Sequence, residues 1–270
     1  MGAAKNLVLG GSGTIGSALC SYLHRSGEAV TNLDIKTGFD LREDNLAPYT
    51  DYDYVWFLAW DVGGAKYLTD PVRQYSLMEN NIRICENVFP FLKDSKIPFL
   101  FSSSQLVSPD NSYGITKLLG EHWTRLLNGT IARFWNVYGW EEPGEKSHVI
   151  PDLFMQGLIK NKITLLTSGE EERQFIYMDD CVKNLFRIRG EQNKMVHLTN
   201  GQWVKIREVA AAIGKILNVP VESGESKGYQ HKIDPDPTHK NYTWDTSLEN
   251  GLQLIKLKAM EFLASNPIDT

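Results

Sequence analysis

The chain has 270 residues, of which 42% are hydrophobic and 23% charged, with a formal net charge of -5. That length suits one compact body with a smaller lobe better than two independent units, and the mild acidity with scattered basic residues argues against nucleic acid or an anionic membrane as partner. No apolar run approaches the roughly 20 residues needed to cross a bilayer, and "MGAAKNLVLGGSG" enters a strand pattern too early for a signal sequence, so a cytoplasmic protein is expected. Cys20, Cys85 and Cys181 lie far apart in helix-like segments and the histidines show no ligand spacing, which predicts core thiols and no metal site.

In chain order the first half alternates apolar strand patterns with amphipathic helical ones: "NLVLG", "IGSALCSYLHRSG", "AVTNLD", "YVWFLAW", "VRQYSLMENNIRICENVFPFL", "IPFLFSS", "YGITKLLGEHWTRLLN" and "TIARFWNVYG". Strands alternating with helices of this length predict an α/β fold, a doubly wound parallel sheet covered on both faces. After Gly139 the rhythm changes to a polar loop, a helix and a short strand, and the tail carries "KIDPDPTHKN" before a last helix near "SLENGLQLIKLKAMEFLA". These are expected to form a smaller, sequence-interleaved C-terminal substrate lobe. "FIYMDDCVKNLFRI" and "IREVAAAIGKIL" are expected to return to the main sheet. The predicted organisation is residues 1–138 and 174–215 for the sheet domain, and 139–173 and 216–270 for the lobe.

Gly10, Gly13 and Gly16 form G-x-x-G-x-x-G between the first strand and the first helix, with Thr14 and Ile15 opening that helix. Glycines there allow a tight turn and close approach of a pyrophosphate to free helix N–H groups, the signature of a Rossmann dinucleotide site. Asp34 follows 18 residues after Gly16 at the end of the second strand, where a carboxylate binds ribose hydroxyls and repels a 2′-phosphate. That favours NAD over NADP, with Lys36 as the residue that softens the distinction. In "FDLRE", Asp40 and the adjoining Leu41 are candidates for the adenine end.

"FSSSQLVSPDNSYGITK" then sets Ser104 at the end of an apolar strand, ahead of Tyr113 and Lys117 four apart on a helix. Positive charge beside a phenol favours phenolate and brings it toward general-base duty, while Ser104 is placed to hydrogen-bond the same substrate hydroxyl. Such a trio deprotonates an alcohol as its hydride leaves.

With these features, the chain resembles the extended short-chain dehydrogenase/reductase family, of the NAD-dependent nucleotide-sugar epimerase and dehydratase type. "GGSGTIG", "FLAWDVGG", "FSSS", "YGITK", "ARFWNVYG" and "RQFIYMDD" follow the family's order across most of the chain. The resemblance implies that Ser104, Tyr113 and Lys117 are catalytic, that Lys117 also holds the nicotinamide ribose, and that Leu58, Ala59 and Trp60 border the cofactor. It further implies that Asn136 and Arg173 contact the substrate diphosphate. A homodimer through the two helices that include "VRQYSLMENNIRICENVFPFL" and Tyr113 is expected on the same ground.

One position narrows the reaction. Family dehydratases carry glutamate, and the 3,5-epimerases cysteine, two residues after the catalytic hydroxyl, where this chain has Leu106. Leucine moves no proton. That leaves hydride transfer at one carbinol, sugar C4, by an epimerase or by a nucleotide-sugar 4-dehydrogenase or 4-ketoreductase; the resemblance, and Asp34 because a retained NAD suits a closed redox cycle, favour the epimerase, with a non-catalytic dinucleotide sensor as a more distant alternative. The short segment between Ser104 and Tyr113 and a trimmed C-terminal lobe depart from the family pattern.

Overall fold

The computed structural model describes residues 2–64, 67, 68, 70–192, 194–228, 230 and 233–266. The chain forms two compact units, one of Met1–Val62, Tyr67–Phe134 and Cys181–Leu198, the other of Gly63–Lys66, Trp135–Asp180 and Thr199–Thr270.

In the first unit β1 (Lys5–Leu9) leads through α1 (Thr14–Arg25) to β2 (Ala29–Leu33), and β3 (Tyr54–Phe57) leads through α2 (Gln74–Ser95) to β4 (Phe99–Ser104). Helix α3 (Ser112–Leu126) then connects β4 to β5 (Thr130–Phe134), and Met195–Leu198 adds a sixth strand. All five pairings are parallel, in the spatial order Met195–Leu198, β5, β4, β3, β1, β2. This is the doubly wound sheet predicted from the alternation. The chain leaves β1 toward one edge and β3 toward the other, so the switch point lies between them, and ligands of such sheets bind at the carboxyl ends beside it.

Burial explains the local choices. All four residues of β3, "YVWF", are buried, as an inner strand covered on both faces requires. Helix α2 turns Leu77, Asn81, Ile84, Cys85, Val88, Phe89 and Leu92 inward at three- and four-residue intervals, and Ile84, Val88 and Phe89 share a core with Leu7, Leu9, Val55, Phe57 and Phe101. Helix α3 starts where it does because Asn111 accepts a hydrogen bond from the Gly114 N–H at 2.8 Å. That cap places Tyr113 in the first turn and Lys117 one turn later.

The second unit is built on the helices Val149–Lys160, Ile206–Leu217 and Leu248–Ser265, which share a core containing Ile150, Leu153, Phe154, Val209, Ile213, Leu252 and Ile255. Short strands pair beside it: Asn136–Tyr138 with Phe175–Tyr177 and Ile163–Thr164 with Val221–Glu222 in parallel, Glu172–Arg173 with Val204–Lys205 antiparallel. The helix Ile206–Leu217, expected on the main sheet, belongs here instead. Its apolar stripe of Ile206, Val209, Ala210 and Ile213 is buried as its period demands, but a stripe specifies burial and not the partner. Interleaving of the two units in sequence is present, with boundaries set by that helix and by Gly63–Lys66 rather than by residues 174 and 215.

Candidate active site

The three serines that end β4 are all buried, and each answers one residue of α3. Lys117 Nζ donates to the Ser102 carbonyl at 2.5 Å and lies 3.4 Å from Ser102 Oγ. Ser103 Oγ donates to Glu121 Oε1 at 2.6 Å. The Ser104 hydroxyl stands close enough to the Tyr113 phenol to favour its ionised form, and Ser104 Oγ accepts the Leu106 N–H at 3.0 Å, which fixes the strand end. Residues 113, 117 and 121 share one helix face by their four-residue spacing, so a single strand–helix contact assembles the predicted trio.

Its electrostatics follow from burial. Tyr113 packs with Tyr67 and Leu77, and Trp60, Leu68 and Leu106 close around them. Burial pushes the phenol up to about 12, and the nearby Ser104 hydroxyl offsets only part of that. Lys117, 3% exposed, is drawn down to about 7, again chiefly by burial. Glu121 opposes the fall; Cys85 is also close, but its thiol is itself pushed up to about 12 by burial and stays neutral. The ammonium faces the rings of Trp60 at 4.2 Å and Phe101 at 4.9 Å, which stabilises the cation weakly.

The glycine loop separates into three roles. Gly10 has φ +89°, and a Cβ there would stand 2.6 Å from the backbone of Ala59. At Gly16 a Cβ would collide with the Gly10 carbonyl. Both are therefore dictated by the fold itself. Gly13 is different: its φ is -74° and a Cβ would meet nothing nearer than the Gly10 oxygen at 3.4 Å. Nothing within the chain demands glycine there, whereas an approaching pyrophosphate does. Gly13 N-caps α1 with no side-chain hydrogen bond and no acidic residue follows in the first turn, so the end of the helix formed by Thr14 and Ile15 suits an anion.

Asp34 is 8% exposed at the end of β2. Its carboxylate accepts the Ser12 and Lys36 N–H groups, each at 2.9 Å, and is thereby held beside the loop. Lys36 Nζ turns to the Ser12 carbonyl at 3.3 Å. The residues thus fit a dinucleotide: a glycine cradle, an uncapped helix end, a fixed carboxylate, and a buried Trp60 Nε1 with no hydrogen-bond partner.

Leu58 and Ala59 both donate their N–H groups to the Leu9 carbonyl, at 2.9 and 2.8 Å, so the segment after β3 folds over the end of β1. A residue the sequence reading missed secures it. Asn81, fully buried on α2, accepts the Asp61 N–H at 2.7 Å and donates to the Asp61 carbonyl at 3.1 Å. The Asp61 carboxylate in turn accepts from Tyr67 Oη at 2.7 Å and Asn80 Nδ2 at 2.9 Å. The detectable signal is an asparagine interrupting an apolar helical stripe.

Asp40 and Leu41, the candidates for the adenine end, both have partners within the chain. Arg42 takes both Asp40 oxygens, Nε at 2.9 Å to one and Nη2 at 2.6 Å to the other, which holds the carboxyl below its usual range. Leu41 sends its side chain into the core, and its carbonyl accepts from Asn87 Nδ2 at 3.0 Å.

Asn136 and Arg173 belong to the second unit. Asn136 Nδ2 and backbone N both donate to the Gln174 carbonyl at 3.2 Å, which brings Asn136 to the residue next to Arg173. Arg173 Nη1 donates to the Glu172 carbonyl at 2.8 Å. Of its acidic neighbours, Glu170 pairs with Lys205 and Arg207, and Glu171 accepts from Thr167 Oγ1 at 2.7 Å. Among the described residues no group of His, Cys, Asp or Glu side chains could hold a metal ion, the three cysteines are free, and no helix is long and apolar enough to cross a membrane.

Sheet order and the glycine cradle define a dinucleotide-binding fold, with Ser104, Tyr113 and Lys117 gathered where the end of β4 meets α3. The chain belongs to the NAD dependent epimerase/dehydratase family, whose model matches residues 6–200. It is 27% identical over 66% of its length to an ADP-L-glycero-D-manno-heptose-6-epimerase of Alkalilimnicola ehrlichii, covering 69% of that protein. A putative UDP-glucose 4-epimerase of Methanocaldococcus jannaschii is 24% identical over 75% of this chain and 79% of its own. The solved UDP-glucuronic acid 4-epimerase of Bacillus cereus, in complex with NAD and a UDP-4-deoxy-4-fluoro sugar acid, superposes with a TM-score of 0.83 over 96% of this chain and 99% of that one. At 22% identity this last likeness speaks for the fold alone.

Proposed function

We propose that the protein is an NAD-dependent C4 epimerase of a nucleotide sugar. The observation that carries the reading is the composition of the β4 end: Ser104 stands beside the Tyr113 phenol with Lys117 one helical turn on, while Leu106, packed on the same cluster, leaves no second proton-transfer group two residues on.

In this reading Ser104 holds the C4 hydroxyl and Tyr113 takes its proton. The phenol needs positive charge beside it to ionise, and Lys117 is the chain's own source. The Tyr67, Leu77 and Leu106 surround keeps water away. NAD, when bound, accepts the C4 hydride and returns it. Tyr113 then gives its proton back to the carbonyl oxygen after the 4-keto sugar has turned its other face, so electrons and protons close within one cycle. Asp34, at the ribose end, favours NAD over NADP; Gly10, Gly13 and Gly16 hold the pyrophosphate, Leu58, Ala59 and Trp60 flank the nicotinamide half, and Asp40 and Leu41 stand at the adenine end. Asn136 and Arg173 take the substrate diphosphate, for which a guanidinium suits bidentate contact. A homodimer through α2 and α3 accounts for the exposure of Tyr75, Trp123 and Leu126 on those helices.

The test is mass spectrometry of small molecules released on denaturing the purified protein, with light scattering for its mass and assays of C4 inversion on UDP-, GDP- and dTDP-hexoses. Stoichiometric NAD and inversion without net reduced nicotinamide are expected. An empty, freely exchanging site with net nicotinamide reduction would transfer the reading to a 4-dehydrogenase or 4-ketoreductase.

A further inference from the structure

One polar side chain at the same strand end has no part in the trio. Gln105 is 4% exposed, and its N–H donates to the Phe134 carbonyl at 2.9 Å, so the β4–β5 ladder runs one residue beyond Ser104 and holds position 105 rigidly. Its carboxamide Oε1 is buried with no hydrogen-bond partner. A buried acceptor without a donor is destabilising, and an amide kept only for packing is normally paired. Of its chain neighbours, Ser104 stands near enough to the Tyr113 phenol to favour its ionised form, and Leu106 packs on the cluster that contains Tyr113. The residue that directly follows Ser104 therefore carries a buried carbonyl oxygen with no partner.

We propose that Gln105 selects the sugar, its carboxamide pairing with a free hydroxyl on the carbon next to the reacting carbinol. Oε1 accepts from that hydroxyl and Nε2 donates to its oxygen. The inference rests on the nucleotide-sugar reading and deepens it. A neutral amide with an unpaired oxygen suits a hydroxyl and disfavours a carboxylate, whose oxygens would oppose Oε1, so the substrate class is a sugar with a vicinal diol rather than one deoxygenated at that carbon.

The experiment compares wild type with Gln105→Met, which keeps length and removes both polar atoms. Melting temperature, NAD content, kcat and KM are measured with the UDP-, GDP- or dTDP-hexose that wild type inverts fastest and with its 3-deoxy analogue. The variant is expected to retain NAD and to melt at or above the wild-type temperature. It should lose at least about ten-fold in kcat/KM on the hydroxylated sugar and have its preference over the deoxy sugar reduced by the same factor. A lower melting temperature with the preference intact makes the amide a packing group and overturns the proposal, as does an equal loss on both sugars. If wild type inverts no nucleotide sugar, the functional reading fails separately, and the dissociation constants of UDP-glucose and UDP-3-deoxyglucose decide the role of Gln105. An unchanged ratio between the two proteins, or no binding by wild type, overturns it.

Discussion

Helix α3 meets the end of β4 at successive turns, and the turn of Glu121 is built on opposite terms from the turn of Lys117. Glu121 is fully buried and fully answered, by Ser103 Oγ and Arg133 Nε at 2.6 Å and by Arg133 Nη2 and Arg125 Nη2 at 2.8 Å. Burial alone would raise its carboxyl, yet the Arg133 and Ser103 hydrogen bonds hold it below the ordinary value. Lys117 is as deeply buried, and among the described residues it has a carbonyl and aromatic faces but no carboxylate in ion-pair contact. The same strand and helix thus satisfy one charge and leave the next open, one turn apart. The missing carboxylate at Lys117 is a property of the site and not a limit of the local packing.

The contrast breaks first at Tyr113. Tyr113→Phe keeps the ring that packs on Tyr67 and Leu77 and deletes only the group that moves a proton. Turnover is expected to fall by about 10²- to 10⁴-fold, with NAD content and thermal stability unchanged. Unchanged turnover, measured at saturating substrate, would remove the acid–base role from this turn. Glu121→Ala sharpens the other side. It strands Arg133, whose side chain is 15% exposed, without its carboxylate, and should cost about 3–5 kcal/mol in denaturant unfolding. Cofactor content per folded molecule should stay the same. A loss of NAD at unaltered stability would mean that the two turns are one functional unit.

Much of the first turn was legible because its signals are local. Gly10 to Gly16, Asp34 at a strand end, and Tyr113 four residues before Lys117 each express a backbone or helix constraint that acts over a few residues. What was not legible depends on partners distant in sequence. Asn81 clamps Asp61 from 20 residues away, and Glu121 meets Ser103 and Arg133 across a strand and a helix. The stripe on Ile206–Leu217 announces a buried face but does not say against which helices. Asp40 has a partner close by that its pattern did not announce, since Arg42, two residues on, pairs with its carboxylate.

The effect that is smallest at any one pH unit isolates Lys117 itself. Its ammonium has an ordinary value of 10.5 and is drawn down to about 7 in the fold, so between those limits the unfolded chain binds more protons than the folded one. Stability must then rise with pH across that window, by at most about 1.4 kcal/mol per pH unit for one proton. Tyr113 has the opposite sign. Its phenol is raised from 10.0 to about 12, so the folded chain holds the extra proton there and stability falls as pH climbs above 10. Lys117→Met should flatten the rise between pH 7 and 10 and leave the decline above it, read as the difference in urea midpoints between the two proteins. Other titrating groups, among them His148 with its Glu141 partner, are common to both and cancel. If the two midpoints run parallel through the whole range, Lys117 is paired as well as Glu121 is, and the distinction between the two turns is lost.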